Sequence, residues 1–399
     1  MKCTPRQILT QFAHLFQSAL FPAIESEVGP MSGDTQLLVS ILGMVPLAKY
    51  VPPSRGFMGR PQRDRQALAT AFLAKSVLNL QTTRQLLDRL VADTALRRIC
   101  GWKTVDQIPH EATFSRAFAE FASSELPQKL HQAVIAATQK DRLIGHIARD
   151  STAIEARERY DTLPQHKPLP PRKRGRPKKG SKALPSRRLP RQRRQKLADM
   201  LAELPRHCSL GVKTASDGNQ RFWRGYKLHM DVADGQIPIS CLLTSASLHD
   251  SQVAIPLATI TAGKVTSLYD LMDSAYDARE IREHSKSLGH VPIIAWTERS
   301  VPISRKHALM LSGGDKRKIK SIGKTRRPRK EPPLTPAQED RFRERTMSER
   351  VNSRLKDEFG GRHIRVRGAA KVMAHLMFGI VALTVDQLLK LATELPTIS

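Results

Sequence analysis

From residue 144 onwards, the order of apolar and polar runs restricts this chain to a few folds. A short apolar run at residues 144–148 predicts a strand, and Asp234-Gly235 separates two longer strand patterns as a hairpin turn would. Helical and strand patterns then alternate up to residue 296. This order predicts an α/β domain with a mixed sheet flanked by helices. The later predicted elements are strands at 222–232, 237–244, 265–272 and 290–296 and helices at 251–262 and 277–288.

Two acidic residues follow predicted strands of this sheet. Asp150 is expected at the end of the first strand, and Asp273 comes directly after the strand at residues 265–272. We prefer Asp273 to Asp277 because Asp273 adjoins the strand. An Asp at a strand end is commonly a turn or cap residue, so neither position alone indicates a site.

Four residues near the C-terminus are spaced so that one helix would carry them all on a single face. They are Phe342, Arg345, Glu349 and Lys356. Burying unpaired charges is costly, so this face is not expected to fill a core, and its expected partners are a metal ion and a phosphate. The alternative for Glu349 is a salt bridge with Arg345, four residues before it.

Three acids that converge from separate elements are the least that a two-metal phosphodiester site requires. Such a site holds two divalent ions roughly 3.5 to 4 Å apart, one beside the attacking oxygen and one beside the leaving oxygen. Asp150, Asp273 and Glu349 are the candidate ligands. Carboxylate oxygens favour Mg²⁺, so Mg²⁺ is the expected ion, with Mn²⁺ as an alternative.

The charge of the chain indicates a polyanionic partner. There are 66 Lys and Arg residues against 37 Asp and Glu residues, a formal net charge of +29. The low aromatic share, 5%, argues against a binder of single strands that depends on stacking. The four cysteines are isolated, which excludes paired zinc-ligand spacing and fits a reducing cytosol. The apolar stretch 376–385 is too short to span a bilayer, so it predicts a buried helix and no membrane.

Residues 1–140 are predicted to form a helical DNA-binding domain. Thr4-Pro5 opens one helix, residues 83–98 form another, and a further helix follows Pro109. The last two could form a helix-turn-helix with Arg116 on its solvent side as a DNA contact. The alternative is a helical bundle with a solvated basic face. The residues expected to face outward from the helix at 83–98 are Arg84, Arg89, Arg97 and Arg98.

Two basic segments interrupt the second half of the chain. Residues 167–197 are rich in Lys, Arg and Pro and contain no acid, so they predict a disordered insertion without a core. Within it, Arg174-Gly175-Arg176-Pro177 resembles an AT-hook core. This segment is predicted either to bind in a narrow minor groove or to attract DNA phosphates without reading the sequence. The basic loop at 316–330 is either solvated or a second DNA contact.

Five segments, in this order, resemble the DDE transposases of bacterial insertion sequences. They are Asp150-Ser151-Thr152, Gly225-Tyr226-Lys227-Leu228-His229, His249-Asp250-Ser251, Asp273-Ser274-Ala275-Tyr276-Asp277 and Arg345-x3-Glu349-x6-Lys356. The last is similar to the family signature Tyr-x2-Arg-x3-Glu-x6-Lys. Phe342 stands where the family has Tyr, so the hydroxyl is missing while the ring can still pack. The resemblance covers about residues 145–391.

The resemblance implies a ribonuclease-H-like catalytic domain at residues 144–393, Mg²⁺ dependence and cut-and-paste movement of a DNA element. It implies that Asp150, Asp273 and Glu349 bind metal and that Arg345 and Lys356 contact phosphate. The implied partners are double-stranded DNA with terminal inverted repeats and a target DNA, bound by a homodimer on paired ends in the bacterial cytoplasm.

Two other functions remain open from the residues. One is a DNA-binding regulator, or a domesticated transposase without activity, and the other is a ribonuclease-H-like nuclease that cuts without strand transfer. Lys227, His229 and the pair His249-Asp250 are interpreted as structural or as supports for the site, because no nucleophile lies near them in the sequence. Trp296 is interpreted as a packing residue, with the holding of an unstacked base as the alternative.

Overall fold

The computed structural model describes residues 11, 15–51, 62–160, 187–214, 219–295 and 334–393. Several of the predictions above lie outside these residues. They are the helix opened by Thr4-Pro5, the AT-hook-like Arg174 and Arg176, the basic loop at 316–330 and the role of Trp296.

A mixed sheet forms the centre of the second half of the chain. Its strands are β1 (Leu143–Glu155), β2 (Ser209–Thr214), β3 (Gln220–Ala233), β4 (Ile237–Ser245), β5 (Thr266–Met272) and β6 (Val291–Ile294). The order is β2-β3-β1-β5-β6, with β4 also paired to β3. β1 is antiparallel to β3 and parallel to β5, and β5 is parallel to β6. The predicted α/β class and ribonuclease-H-like fold are confirmed.

The hairpin between β3 and β4 is where the sequence predicted it. Gly235 and Gln236 have positive φ values of 81° and 61°, which suits glycine at the first of these positions. A Cβ at Gly235 would also lie 2.7 Å from Leu391 Cδ1. The positive φ therefore favours glycine at position 235, and a larger residue there would also have to displace the end of the Leu391 side chain.

The prediction that Asp150 ends a strand is wrong. β1 continues past it to Glu155, because β3 supplies antiparallel partners as far as the pair Glu155 and Gly225. The apolar run ends at residue 148, but the polar residues after it satisfy their backbone groups in the ladder with β3.

Helices cover both faces of the sheet and form the N-terminal region. Before β1 they are α1 (Phe21–Val28), α2 (Gly33–Met44), α3 (Leu47–Tyr50), α4 (Arg65–Val77), α5 (Thr83–Ala92), α6 (Thr94–Ile99), α7 (Glu111–Ser123) and α8 (Leu126–Thr138). After β1 they are α9 (Arg188–Gln192), α10 (Leu197–Ala202), α11 (Ser251–Ala262), α12 (Arg279–Ser287), α13 (Pro336–Arg343), α14 (Thr346–Asp357) and α15 (Ala369–Thr393). Short π or 3₁₀ turns occur at Phe16–Leu20, Val105–Gln107 and Ser274–Tyr276.

The helix predicted at residues 83–98 is broken in two. Thr82 caps α5 in a capping box with Gln85, and the Asp93 side chain caps α6 by accepting from the Leu96 N–H. Arg97 is buried, contrary to prediction, because its guanidinium donates to the Leu90 and Val91 carbonyls. Residues 100–110 separate α6 from α7, which is longer than the turn of a helix-turn-helix, so that prediction is also wrong.

The last helix, α15, joins the two halves of the protein. It packs against α4, α7 and α8 on one side and β4 on another, and it lies in one hydrophobic core shared by the N-terminal helices and the sheet. It contains the stretch 376–385, which is buried as predicted. The helix is long and apolar enough to cross a membrane, but 83% of its most apolar window is buried inside the protein, as in a core helix of a soluble fold.

Two further predictions need correction. The end of the basic insertion is folded, because Gln192 on α9 is buried and donates to the Gln252 carbonyl at 2.9 Å, while Leu189 packs on the small core beside α11. Phe342 and Glu349 do not share one helix. A turn at residues 344–345 separates α13 from α14, and the Met347 N–H bonds to the Glu344 carbonyl there.

Candidate active site

The strand register brings Asp150 and Asp273 side by side. The last parallel pair between β1 and β5 is Arg149 with Met272, and each aspartate is the residue that comes directly after its member of this pair. The backbones there are therefore separated by roughly the 4.8 Å spacing of neighbouring strands. Asp273 follows β5 directly, as predicted, and Asp150 lies where the parallel pairing ends although its own strand continues.

The environment of Asp150 favours its uncharged form. Burial raises the pKa of Asp150 to about 6 against the lowering effect of the Ser151 N–H, and the charges of Asp273 and Asp250 raise it further. Burial also raises the pKa of Asp273, with Asp250 adding to the effect, although its carboxylate accepts the Ala275 N–H at 3.0 Å. The carboxylates therefore repel one another in a place that water reaches poorly.

Arg345 is the cation that connects the three predicted acids. Its Nη2 lies 2.5 Å from Glu349 Oε1 in a salt bridge across one turn at the start of α14. Its charge also lowers the pKa values of both Asp150 and Asp273. The salt-bridge alternative for Glu349 is thus present in the structure, and the same guanidinium lies close enough to act on both aspartates.

A residue that the sequence reasoning missed ties α14 to the sheet. Asn352 Nδ2 donates to Asp150 Oδ2 at 3.2 Å, and its side chain is 8% exposed. Asn352 lies three residues after Glu349, so both are on the same side of the helix. This spacing of three residues from Glu349 could have identified Asn352 from the sequence, since Asn352 lies between the signature residues Glu349 and Lys356.

A fourth carboxylate at the site, Asp250, was interpreted only as a support. Lys227 Nζ donates to Asp250 Oδ1 at 2.9 Å and to the Leu248 carbonyl at 3.0 Å. His229 Nε2 bonds to Thr244 Oγ1 at 2.9 Å, and burial lowers the pKa of His229 to about 4, so it is neutral near pH 7. These contacts agree with structural or supporting roles for Lys227 and His229.

Tyr276 carries a buried hydroxyl next to the acids. Among the described residues this hydroxyl has no hydrogen-bond partner, and its ring packs in the small core with Met272. Burial raises the pKa of Tyr276, and the charges of Asp250, Asp150 and Asp273 raise it further. A neutral phenol O–H is thus available beside the carboxylates.

The donor atoms fit a hard divalent cation. Asp150 and Asp273 offer carboxylate oxygens, the preferred ligands of Mg²⁺, and the repulsion that raises their pKa values would be relieved by a cation. Within the described ranges, no three His, Cys, Asp or Glu side chains are grouped closely enough to hold a metal. Glu349 is the outlying acid, because its side chain is 53% exposed and paired with Arg345.

Comparisons with known families agree with this geometry. The family described as "Transposase DDE domain" matches residues 141–385, a range that contains all three predicted acids and all six strands of the sheet. The chain belongs to the DDE transposase family. A second family, "Transposase domain (DUF772)", matches residues 34–120 of this transposase. Searches of curated proteins and of solved structures gave no match.

Membership of this family means that the transposase binds DNA and acts in DNA transposition. Lys356 and Arg116 are not among the charges that shift the pKa values of Asp150 and Asp273. Lys356 is half-buried near the end of α14, where burial, Arg362 and Lys213 lower its pKa while Glu155 raises it. Arg116 is exposed on α7, and its Nε donates to the Ala112 carbonyl at 3.3 Å.

The aromatic position of the family signature has a packing role in this transposase. The Arg345 guanidinium lies 5.7 Å from the centre of the Phe342 ring, within the range of a cation–π contact. Phe342 is partly buried at the end of α13. Its ring therefore helps to hold the cation that pairs with Glu349, without any need for a hydroxyl.

Proposed function

We propose that this transposase catalyses Mg²⁺-dependent cleavage and strand transfer at the terminal inverted repeats of an insertion sequence, moving it by cut and paste. The observation that carries the proposal is the shared cation. Arg345 pairs with Glu349 and lowers the pKa values of Asp150 and Asp273, so the three acids belong to one electrostatic unit. The family assigns the protein to DNA transposition. The metal-dependent cleavage and strand transfer are proposed from these residues.

Asp150, Asp273 and Glu349 would hold the metal. When bound, two Mg²⁺ ions would activate the attacking oxygen and stabilise the leaving oxygen of the phosphodiester. Asn352 orients the Asp150 carboxylate through its amide, and the Ala275 N–H orients that of Asp273. The Lys227 contact holds Asp250 beside them.

The cations supply the DNA contacts in this proposal. The Arg345 guanidinium can donate two hydrogen bonds to a phosphate, and Lys356 provides a point charge about three turns further along α14. Arg116 contributes from the N-terminal helices, and Arg174 and Arg176 from the basic insertion. We expect a homodimer on paired transposon ends that joins them to target DNA in the cytoplasm.

The test uses purified full-length protein with DNA that ends in the inverted repeats of its own element. With Mg²⁺ or Mn²⁺ we expect nicking at the ends and joining of the cut strand to a target plasmid. Asp150→Asn, Asp273→Asn and Glu349→Gln should each abolish both steps. Asp277→Asn is the matched control and should retain activity. Asp277 forms a salt bridge with Arg282 and is not one of the three proposed metal ligands.

The same assay separates the alternatives. Tight binding of the ends without any cleavage would indicate a DNA-binding regulator. Cleavage without joined products would indicate a nuclease that performs no strand transfer. Full activity in any of the three acid variants would show that the site is assigned to the wrong residues.

A further inference from the structure

A basic cavity lies between the N-terminal helices and the segment that connects α14 to α15. Its volume is about 530 Å³. The lining includes Lys75 on α4, the start of α5, part of α7, and the residues Arg365, Arg367 and Lys371. It is separate from the acids, since none of Asp150, Asp273 and Glu349 lines it.

Lys75 is the unusual residue of this cavity. It is 7% exposed, and its Nζ makes one long hydrogen bond of 3.4 Å to the Gln81 carbonyl. In the part of the chain that the structure describes, Lys75 forms no ion pair. Burial lowers the pKa of Lys75 to about 8. A buried ammonium without a counter-ion is costly, and an anion in the cavity would offset that cost.

The other charges of the lining have the same sign. Arg365, Arg367 and Lys371 are exposed at the mouth, and among the described residues none of them forms a salt bridge. Glu111 is the one acid among the lining residues. His375 also lines the cavity, but burial lowers its pKa to about 4 and its Nε2 bonds to the Gly360 carbonyl, so it is neutral.

The remaining lining atoms suit a phosphate oxygen. The ten-residue helix α5 begins at the cavity, with Thr82 and Thr83 in the wall, and the N-terminal end of a helix carries a partial positive charge. Ser115 supplies a hydroxyl from α7. Arg365 Nη2 is already oriented by a 3.4 Å contact with Gln81 Oε1.

We propose that this cavity binds a phosphate group of the DNA backbone and so anchors the bound DNA to both halves of the protein. Its walls come from the N-terminal helices and from the segment that follows α14, the helix of Glu349. A phosphate held there would fix the position of DNA on the N-terminal helices relative to the acids. The proposal rests on the proposed function in taking DNA as the source of the phosphate.

The first arm of the test uses inorganic phosphate as the probe, with the full chain, EDTA and no DNA. Phosphate should raise the Tm of the wild type by about 2 °C or more at saturation, at constant ionic strength. Lys75→Met should abolish that rise, and Lys129→Met, on an exposed lysine of α8, should retain it. If phosphate leaves the wild-type Tm unchanged relative to chloride, the cavity is no phosphate site and the proposal fails.

The second arm identifies the source of the phosphate. In EDTA, Lys75→Met should lower the slope of log affinity for duplex DNA against log salt by about one, and saturating DNA should remove the effect of added phosphate on Tm. An unchanged slope, with the phosphate effect still lost in Lys75→Met, would mean a free phosphate ligand and would overturn the DNA assignment.

A surface variant guards against misfolding of Lys75→Met. Arg365→Gln combined with Arg367→Gln changes exposed side chains only and should also lower the slope by about one, because the same phosphate contact is lost. The control pair Lys103→Gln with Lys129→Gln, on exposed lysines outside the cavity, should leave a steeper slope than the arginine pair. Equal slopes for the two pairs would contradict the proposal. Since no cleavage occurs in EDTA, these results do not depend on the acids, and loss of strand transfer in Asp273→Asn with normal binding would concern only the proposed chemistry.

Discussion

Arg149 and Asp150 are neighbours on β1, yet their charges are treated in opposite ways on the two faces of the sheet. Arg149 is 2% exposed, and its Nε and Nη2 each lie 2.7 Å from a carboxylate oxygen of Asp231, which also accepts from Thr261. Burial alone would lower the pKa of Arg149, but Asp231 and Asp270 raise it above its usual value. Asp150 forms no salt bridge among the described residues, and its charge is stabilised by the Asn352 amide, the Ser151 N–H and the more distant charge of Arg345.

The difference indicates that the charge of Arg149 stabilises the fold, whereas the charge of Asp150 is suited to binding a ligand. The Arg149 pair is closed, because its two charges neutralise each other and Thr261 also donates to Asp231. The acids around Asp150 are open, because they repel one another and their pKa values are raised. We expect changes on the closed face to alter stability and changes on the open face to alter activity.

The largest expected effect is on the open face. Asp150→Asn should lower strand-transfer activity by about 10³-fold or more, because it removes a metal ligand. The same change should raise the free energy of unfolding at pH 7 by about 1 to 3 kcal/mol, since it removes a charge that the fold disfavours. Activity assays and urea unfolding measure the two effects. A loss of stability together with a loss of activity would break the comparison.

On the closed face, Arg149→Met should lower the free energy of unfolding by about 3 to 5 kcal/mol, because Asp231 would remain buried and unpaired. Adding Asp231→Leu should restore most of that loss, since an apolar pair of similar volume needs no partner. Chemical denaturation of both variants is the measurement. A double variant as unstable as the single one would mean that the pair has another role.

Arg345 connects the open face to α14, so its removal should act on activity more than on stability. Arg345→Gln should lower activity by about 10²-fold. It should also move the acidic limb of the pH–rate profile to higher pH, because Arg345 lowers the pKa values of Asp150 and Asp273. Arg343→Gln, whose side chain is 80% exposed, is the control. A wild-type pH profile in Arg345→Gln would exclude this electrostatic role.

The smallest expected effect is an opposite response of the two faces to acid. The folded pKa of Asp150, about 6, is above its unfolded value, so this group adds stability as the pH falls from 6 to 4. The folded pKa of His229, about 4, is below its unfolded value, so this group lowers the stability of the protein as the pH falls from 6.5 to 4. Each effect is at most about 1.4 kcal/mol per pH unit.

Two variants resolve these contributions in melting curves. Asp150→Asn should make the Tm fall more steeply with acid than in the wild type, and His229→Gln should make it fall less steeply. His131 and His375 are buried and neutral in both variants, so their contribution cancels in the comparison. Parallel curves for the two variants would contradict the assignment of these pKa values.

Local patterns predicted much of the fold. The hairpin at Asp234-Gly235 and the helix Ser251–Ala262 were predicted because turn chemistry and side-chain periodicity act over a few residues. Predictions failed where distant partners decide the outcome. β1 extends to Glu155 because β3 pairs with it, and Gln192 is buried because α9 docks on α11.

The candidate site shows the same division. The family motifs indicated Asp150, Asp273 and Glu349 from short segments, and their roles as metal ligands stay a prediction. No segment indicated that Asn352 would orient Asp150 or that the Tyr276 hydroxyl would lie beside the acids. Both features depend on how α14 and the turn after β5 pack on the sheet.

The sequence by itself determined the order of the elements and the excess of positive charge, and it indicated three acids as candidate metal ligands, because each is a property of composition or of short-range pattern. Only the tertiary structure decided which charges are satisfied. Groups from distant parts of the chain give Arg149 its carboxylate partner and place other carboxylates near Asp150. They also bury Lys75. Electrostatic interactions act through space, so their balance is known only once the fold has set the distances.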